Sequence, residues 1–480
     1  MTSRVVNASL ESLDIESSSV NRTKRSLHRL CLLGLCVWYV FSFTVFYWFF
    51  LEPVYRPGFT PGLCRFGSGL CAGLSVVFVL NVHNNEVELP YLLSQVLRTI
   101  GEEFLNLPPQ NVAISIYENG SKDETPTLLR DFAEVLTERG IWNRIVTDPA
   151  EGTSTYLQKG WRKMSDRMAK FVDYRNRALA PLLSDDFPLK ENERGEGKVK
   201  VIFLNDIRFE AEDLVHLIST ADMSYDIVCP MDFYYQFYDR FATRETSGDW
   251  MEGWWPYSLR HSTAEAIRQF APFQVLSCWN GVAVFDLSLL KEVGVRFRRE
   301  RDQRCECPQC ECTFFGLDAW KAGRRRVLVN PAVKVAYNFR FYRFAHKFID
   351  LMTLLRSLKG TVYYPPPGAV PPAGLTEDRD LEEEEKRLQV EAEQIANECR
   401  GKAAIPGSNP EEFERCLQRT VPPLTLRLPK RVGCAFPDRG GGGRWMNVTA
   451  ACDPTKWQTE HGEEQEDPQR WWKDWTLSPF

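Results

Sequence analysis

Two hydrophobic periods succeed one another along the middle of this chain. Ser75-Val-Val-Phe-Val-Leu80 is an unbroken apolar run that predicts a buried strand, and it closes in the polar stretch Asn81-Val-His-Asn-Asn-Glu86. Leu89, Leu92, Leu93, Val96, Leu97 and Ile100 then recur at helical spacing. Asn111-Val-Ala-Ile-Ser-Ile-Tyr117 predicts a second strand, ending in Glu118-Asn-Gly-Ser-Lys-Asp-Glu-Thr125. Thr125-Pro126 reads as the N-cap and first residue of a helix whose stripe is Leu128, Leu129, Phe132, Val135 and Leu136, stopped by Gly140. Trp142 to Val146 predicts a third strand. Alternating strands and helices with short links predict an α/β fold on a parallel, doubly wound sheet.

The pivotal stretch is Val199-Lys-Val-Ile-Phe-Leu-Asn-Asp-Ile207, a buried strand that runs into Asn205 and Asp206. Ligands of open α/β sheets bind outside the carboxyl ends of the strands, where this carboxylate falls. Asp206 there suits a divalent cation held against a diphosphate, Mn²⁺ or Mg²⁺, with Asn205 as a neutral oxygen ligand. The same residues also suit a turn or a helix cap. Parallel strands would bring the acids of the earlier loop, Glu118 and Asp123, to the same margin. The pattern reads as a nucleotide-sugar pocket, although polar loop ends are common in α/β proteins.

Other stretches add chemistry around that margin. Met164, Met168, Phe171, Val172 and Leu179 mark the core stripe of a helix that also carries Arg167, Arg175, Asn176 and Arg177. The planar donor fork of an Arg suits a phosphate, and a solvated face suits the remainder. Tyr225 to Cys229 predicts a strand leading into Pro230-Met-Asp232-Phe-Tyr-Tyr. Residues 234–273 are dense in aromatics, with Asp239 and Arg240 among them, as a sugar acceptor site or a self-packing loop would be. Two apolar runs, Gln274 to Ser277 and Val282 to Phe285, flank Cys278-Trp-Asn-Gly281, which reads as a tight turn between strands. Val327 to Tyr337 supplies the last strands; Asn338 and His346 beyond it stay outside the metal set.

The flanks place this domain. Leu30 to Leu51 has no charged residue and would span roughly 33 Å as a helix, enough for a bilayer core. Arg22, Lys24, Arg25 and Arg29 before it and Glu52 after it orient the amino terminus to the cytoplasm, giving a retained, type II signal anchor. Twelve of the 14 cysteines then face an oxidising lumen, where disulfides are the default; Cys64 and Cys71 suit one within a short stem. Asn119-Gly-Ser121 and Asn447-Val-Thr449 are glycosylation acceptors by sequence, with Asn119 expected to stay bare if it lines the pocket. Net charge is -5 with mixed signs, which gives no reason to expect nucleic acid. Residues 361–374 read as a Pro-rich linker, and Glu377 to Glu398 as an acidic solvated helix. Cys399, Cys416, Cys434 and Cys452 suit two disulfides in a loop-rich appendage that ends in Trp457, Trp471, Trp472 and Trp475.

Several motifs in fixed order complete the reading. His83-Asn-Asn-Glu86, Ser115-Ile-Tyr-Glu-Asn-Gly-Ser121 with Asp123, Tyr174-Arg-Asn176, Phe203-Leu-Asn-Asp206, Ser277-Cys-Trp-Asn-Gly281 and Cys310-Glu-Cys312 resemble the fungal α-1,3-mannosyltransferase family of the cryptococcal capsule-associated type. The resemblance implies a GT-A type domain, a Rossmann-like mixed sheet with flanking helices, over residues 73–350. It follows a cytoplasmic tail (1–29), the anchor (30–51) and a stem (52–72), and precedes the 351–480 extension. It implies a Golgi-membrane enzyme that transfers mannose from GDP-mannose to a mannoside acceptor, with retention and a divalent metal. Other nucleotide sugars such as UDP-xylose, or a non-catalytic glycan-binding subunit, are the alternatives. Asp206 would hold the metal. His83, Asn85, Glu86, Glu118, Asp123, Arg175, Asn176, Asn205, Trp279 and Asn280 would meet the nucleotide sugar, and Asp232 and Glu311 would be the catalytic carboxylates. Two features depart from the family pattern: Asn205-Asp206 stands where Asp-x-Asp is usual, and Cys305-Glu-Cys-Pro-Gln-Cys-Glu-Cys312 is unusually rich in cysteine. That cluster suits disulfides in the lumen better than a compressed four-thiolate zinc site.

Overall fold

The structure, a computed structural model, describes residues 37–44, 47–51, 54, 56–59, 64–149, 164–189, 198–240, 242–300, 306, 309–358, 431–437 and 443–447. The tail, the rest of the expected anchor, the Pro-rich linker, the acidic stretch, Cys305, Cys307, Cys399, Cys416, Cys452 and the Trp-rich end lie outside the described residues. The chain divides into two units, Met1–Tyr55 and Arg56–Phe480. In the first, residues 37–44 are helical and Tyr47–Leu51 forms a π-helical turn. Among the described residues no helix is long and apolar enough to cross a membrane.

The second unit is built on a ten-stranded mixed sheet. Its strands are β1 (Ser75–Val82), β2 (Val112–Glu118), β3 (Trp142–Thr147), β4 (Val199–Leu204), β5 (Ile227–Tyr234), β6 (Gln236–Phe237), β7 (Arg244–Glu245), β8 (Phe273–Ser277), β9 (Val282–Asp286) and β10 (Val327–Ala336). They lie in the order β3-β2-β1-β4-β9-β5-β10-β8-β7, with β6 paired to β5. The strands β3, β2, β1 and β4 are mutually parallel. Strand β9 runs antiparallel between β4 and β5, and β5 is parallel to β10. Consequently β1, β2, β4, β5 and β10 all end at one margin. Val82 registers with Glu118, and Leu80 with Leu204, so the loops after β1, β2 and β4 emerge side by side.

Strand β1 shows why the sheet is sandwiched. Val77 and Val79 enter one core cluster while Val76, Phe78 and Leu80 enter the other, the two-residue alternation of a strand buried on both faces. Helices α1 (Leu89–Ile100), α2 (Thr125–Glu138) and α4 (Ala211–Ile218) pack into the second cluster. α3 (Met164–Leu179), α5 (His261–Arg268) and α6 (Glu311–Lys321) supply Leu179, Ile267, Phe314 and Phe315 to the first. Gly316 lets α6 lie against β8, because a Cβ there would sit 2.6 Å from that of Ser277.

Several local readings are revised. The segment Cys278–Gly281 is the expected tight turn between strands, but the two strands it links do not pair with each other: β8 pairs with β10 and β7, whereas β9 pairs with β4 and β5. Asp232 lies within a strand, since β5 continues through Pro230 to Tyr234. Thr125 is the first helical residue rather than the cap, and its N–H donates to Asp123. Cys64–Cys71 closes a two-residue hairpin in the stem. A second disulfide, Cys229–Cys278, ties β5 to the turn after β8 across a Cα separation of 6.2 Å. Residues Arg431–Pro437 and Gly443–Asn447 form a hairpin within the stretch expected to be loop-rich, and Val432 belongs to the first core cluster.

His216 on α4 is buried, and burial lowers its pKa to about 4. An unfolded histidine titrates near 6.5, so between those values only the unfolded chain takes the proton. The stability His216 contributes is therefore complete above pH 6.5 and is lost as pH falls toward 4, by on the order of 3 kcal/mol. Thermal unfolding between pH 7 and 4.5 is expected to show that slope, flattened in His216→Gln. An equal slope in both proteins would refute the assignment.

Candidate functional site at the sheet margin

Three loops are stitched together at the shared margin. After β4, Asn205 donates its N–H to the carbonyl of Gly281 (2.8 Å), and Arg208 exchanges backbone hydrogen bonds with Ala336 at the end of β10 (2.6 and 3.1 Å). Asp206 is thereby fixed between the Cys278–Gly281 turn and β10. The turn has no slack: Asn280 and Gly281 are both left-handed (φ 52° and 75°), and a Cβ on Gly281 would fall 2.7 Å from Ile207 Cγ2. From the third loop, Asp239 donates its N–H to Asp232 Oδ1 (3.0 Å) and its carboxylate accepts the N–H of Gly281.

The electrostatics of this cluster are unusual. Asp206 is solvent-exposed, yet protein surrounds it closely enough for desolvation to raise its carboxyl, with Arg175 pulling the other way. Burial pushes Asp239 up to about 6; Arg175 and the Gly281 N–H oppose this, while Glu311 and Asp206 add to it. Asp232 is fully buried, and burial, then Asp239, raise it well above the ordinary range. Its oxygens accept from Asp239 N and from Tyr337 Oη (3.1 Å).

Beneath these acids lies Arg175 of α3. Its Nε is 2.9 Å from Glu311 Oε1, and its guanidinium lies 4.8 Å from the Trp279 ring centroid. Burial works against its charge, but Cys312, Glu311, Cys310 and Asp239 outweigh that and hold it protonated. Its Nη1 is buried with no hydrogen-bond partner among the described residues. Glu311 opens α6 and is almost wholly buried, with the thiols of Cys310 and Cys312 at 3.5 and 3.6 Å. Both cysteines are free, so the expected disulfides do not involve them. Their two sulfurs and a Glu311 oxygen lie within 4.8 Å of one another, but the paired Arg175 cation disfavours a metal there.

The other expected ligand residues divide by role. Glu118 is buried; Oε1 accepts from Ser121 N (2.5 Å), and Oε2 has no hydrogen-bond partner among the described residues. His83 sits close by, its pKa lowered by burial against the opposing charges of Glu118 and Asp123. Asn85 has a buried side-chain nitrogen with no hydrogen-bond partner among the described residues. Asp123 is held low, despite partial burial, by donors that include the backbone of Glu86 and Thr125, and Glu86 in turn accepts from Glu124 N. These contacts knit the first two loops together. Asn119 is half-buried and accepts from Asn81 (3.0 Å).

Three residues expected at the ligand are inside the fold. Trp279 is fully buried against Phe203 and Phe297, because the turn points its ring under the sheet. Asn280 bonds Thr243 Oγ1 and the carbonyl of Pro230 (both 2.7 Å). Asn176 clasps the backbone of Phe297 through both amide atoms. Both expected catalytic carboxylates, Asp232 and Glu311, are likewise engaged internally. Asp239 is half-buried and near enough to Asp206 for their charges to interact, and no periodicity in the sequence marks it; only its place in an aromatic-rich loop hinted at it. Asn338 caps a short helix, α7 (Phe339–Phe344), and His346 is buried against Lys334.

Residues 75–318 match the family model described as Cryptococcal mannosyltransferase 1. The chain belongs to that family. This cryptococcal-type family member is 30% identical over 281 residues to the Alpha-1,3-mannosyltransferase CMT1 of Cryptococcus neoformans var. neoformans serotype D, across 54% of the chain and 57% of that relative. The chain thus spans little more than half the length of the curated relative it matches. Among solved structures, the family member is similar to a mannosyltransferase, PcManGT, from Pyrobaculum calidifontis in complex with GDP-Man and Mn²⁺. The identity is 14% and the TM-score 0.34, over 70% of this chain and 76% of that one. It is also similar to GalNAc-T7 with UDP, GalNAc and Mn²⁺, at 12% identity and a TM-score of 0.31, over 71% and 54%. Overlaps that loose carry nothing further here.

Proposed function

We propose that this chain is a metal-dependent, retaining glycosyltransferase of GT-A type. It moves mannose from GDP-mannose to a mannoside acceptor in an α-1,3 linkage, and Leu30–Leu51 anchors it as a single-pass type II protein of the Golgi membrane. The observation that carries the reading is the meeting of Asp206 and Asp239 above Arg175, at the margin where the parallel strands end, in a member of this family. Three carboxyl groups, Asp206, Asp239 and Glu311, lie around one guanidinium there, and a nucleoside diphosphate adds more negative charge. A hard divalent cation fits that imbalance, and two oxygen donors with phosphate oxygens completing the shell suit Mn²⁺ or Mg²⁺. Asp206 and Asp239 would hold it; when bound, it neutralises charge on the leaving diphosphate.

The chain's own residues do the rest. Arg175 offers a buried N–H, unpaired among the described residues, and a positive charge for the diphosphate. Glu311 fixes its orientation. Asp232 and Tyr337 hold the Asp239 loop in place, so these two act as positioning residues. Glu118 Oε2, with His83 and Asn85 nearby in the first loops, leaves an acceptor for the hydroxyls or N–H groups of a nucleoside. With retention on one face, the departing phosphate takes the acceptor proton, and no strong protein base is required.

The test is release of GDP or UDP from GDP-mannose, UDP-xylose and other nucleotide sugars by the full chain, with and without Mn²⁺. Metal-dependent turnover of GDP-mannose above the others is expected. Turnover of another donor alone would overturn the mannosyl assignment, and glycan binding without any turnover would favour a non-catalytic subunit.

A further inference from the structure

Away from the carboxylate cluster, α8 (Asp350–Leu358) continues α7 through a π-helical turn, Ala345–Ile349, and its two faces differ sharply. The inner face is held by buried polar groups. Asp350 pairs with Lys334 and stands 3.5 Å from His346 Nδ1, while His346 Nε2 lies 3.8 Å from Asp213 Oδ1. Asp213 accepts from Tyr342 Oη and from Arg56 Nε, both at 2.6 Å. Arg56 Nη2 also donates to Glu210 (2.6 Å) and to Tyr342 Oη (2.9 Å). One buried network therefore ties Arg56 to the start of α4, to α7 and to the base of α8. On the outer face every exposed residue between Phe348 and Leu355 is apolar: Phe348, Leu351, Met352, Leu354 and Leu355 are 39–45% exposed, whereas Asp350 and Thr353 are buried. Leu351, Met352 and Leu355 keep the three- and four-residue spacing of a single helix face, and Leu354 widens it. A contiguous exposed stripe of large apolar side chains marks an interaction surface.

We propose that Leu351, Met352, Leu354 and Leu355 seat α8 on the surface of the lipid bilayer that holds the anchor, their side chains among the acyl chains just below the headgroups. This rests on the reading of Leu30–Leu51 as an anchor and adds a second membrane contact to it. Chain length selects the occupant. Arg56 is five residues beyond Leu51, and a fully extended chain of that length reaches about 18 Å. The Arg56 side chain is only 9% exposed within its network, so the catalytic unit is held close to the bilayer at that point. The same network fixes the base of α8 relative to Arg56. A protein partner fits less well. Four side chains on two turns of helix fall far short of the roughly 800 Å² that each partner buries in a stable complex, and such interfaces carry a polar rim. An exposed face without charge suits acyl chains.

Photo-crosslinking tests this on the full chain reconstituted in phosphatidylcholine vesicles whose acyl chains carry a diazirine near the glycerol, with the adducts mapped by peptide mass spectrometry. The wild type is expected to form lipid adducts both within Leu30–Leu51 and on Leu351–Leu355. Leu351→Glu combined with Leu355→Glu is expected to cut the α8 adducts about tenfold while the anchor adducts and the melting temperature hold. Wild-type adducts in the anchor with none on α8 overturn the proposal, and so do α8 adducts that the double variant leaves unchanged. A chain-to-chain cross-link at α8 in place of lipid would give the face to a second copy and overturn it too. Adducts on α8 with none in Leu30–Leu51 sink the anchor reading and leave the membrane face of α8 standing; adducts on neither sink both.

Discussion

Replacing Asp206 with Asn or Ala is expected to lower mannosyl transfer by about a thousandfold while leaving the fold intact. No side chain among the described residues donates to its carboxylate, and the loop is held by the backbone bonds of Asn205 and Arg208 instead. The change therefore removes charge at the sheet margin and little else. Turnover of GDP-mannose, read beside the melting temperature, checks it. A variant that unfolds would assign Asp206 a structural role, and one that keeps full activity would remove it from the site.

Removing the cation beneath is expected to fail differently. Arg175→Met leaves Glu311 buried without its counter-charge, which costs about 3–5 kcal/mol, and it also takes away the N–H proposed to meet the diphosphate. Stability and activity should therefore fall together. Adding Glu311→Gln removes the orphaned charge, so the double variant should regain most of the stability but not the activity. Chemical denaturation of the wild type, both single variants and the double variant measures this coupling. Strictly additive losses, or recovered turnover in the double variant, would show that Arg175 serves packing alone.

How much of this the sequence disclosed follows from the range of the forces involved. Strands β1, β2, β3 and β4 and helices α1 and α2 are written in local hydrophobic periodicity, and their bounds emerge within a residue or two of expectation. A strand ending at Asp206 was equally legible, since an apolar run breaking into Asn-Asp marks a sheet margin by itself. The insertion of β9 between β4 and β5 was not, because antiparallel pairing across some eighty residues leaves no local period. For the same reason Cys278-Trp-Asn-Gly281 was legible as a motif but not in its role. Its Trp279 serves the core and its Gly281 N–H serves Asp239. Asp239 joins the site only through those long-range contacts, and Asp232 and Glu311 look catalytic by residue type until their burial and their partners are seen.

Calorimetric titration of GDP into the full chain, with and without Mn²⁺, tests the central claim most directly. The wild type is expected to bind GDP far more tightly with the metal, and both Asp206→Ala and Asp239→Ala to lose that difference while remaining folded. Metal-enhanced GDP binding that survives in both variants would contradict the assignment of these two carboxylates.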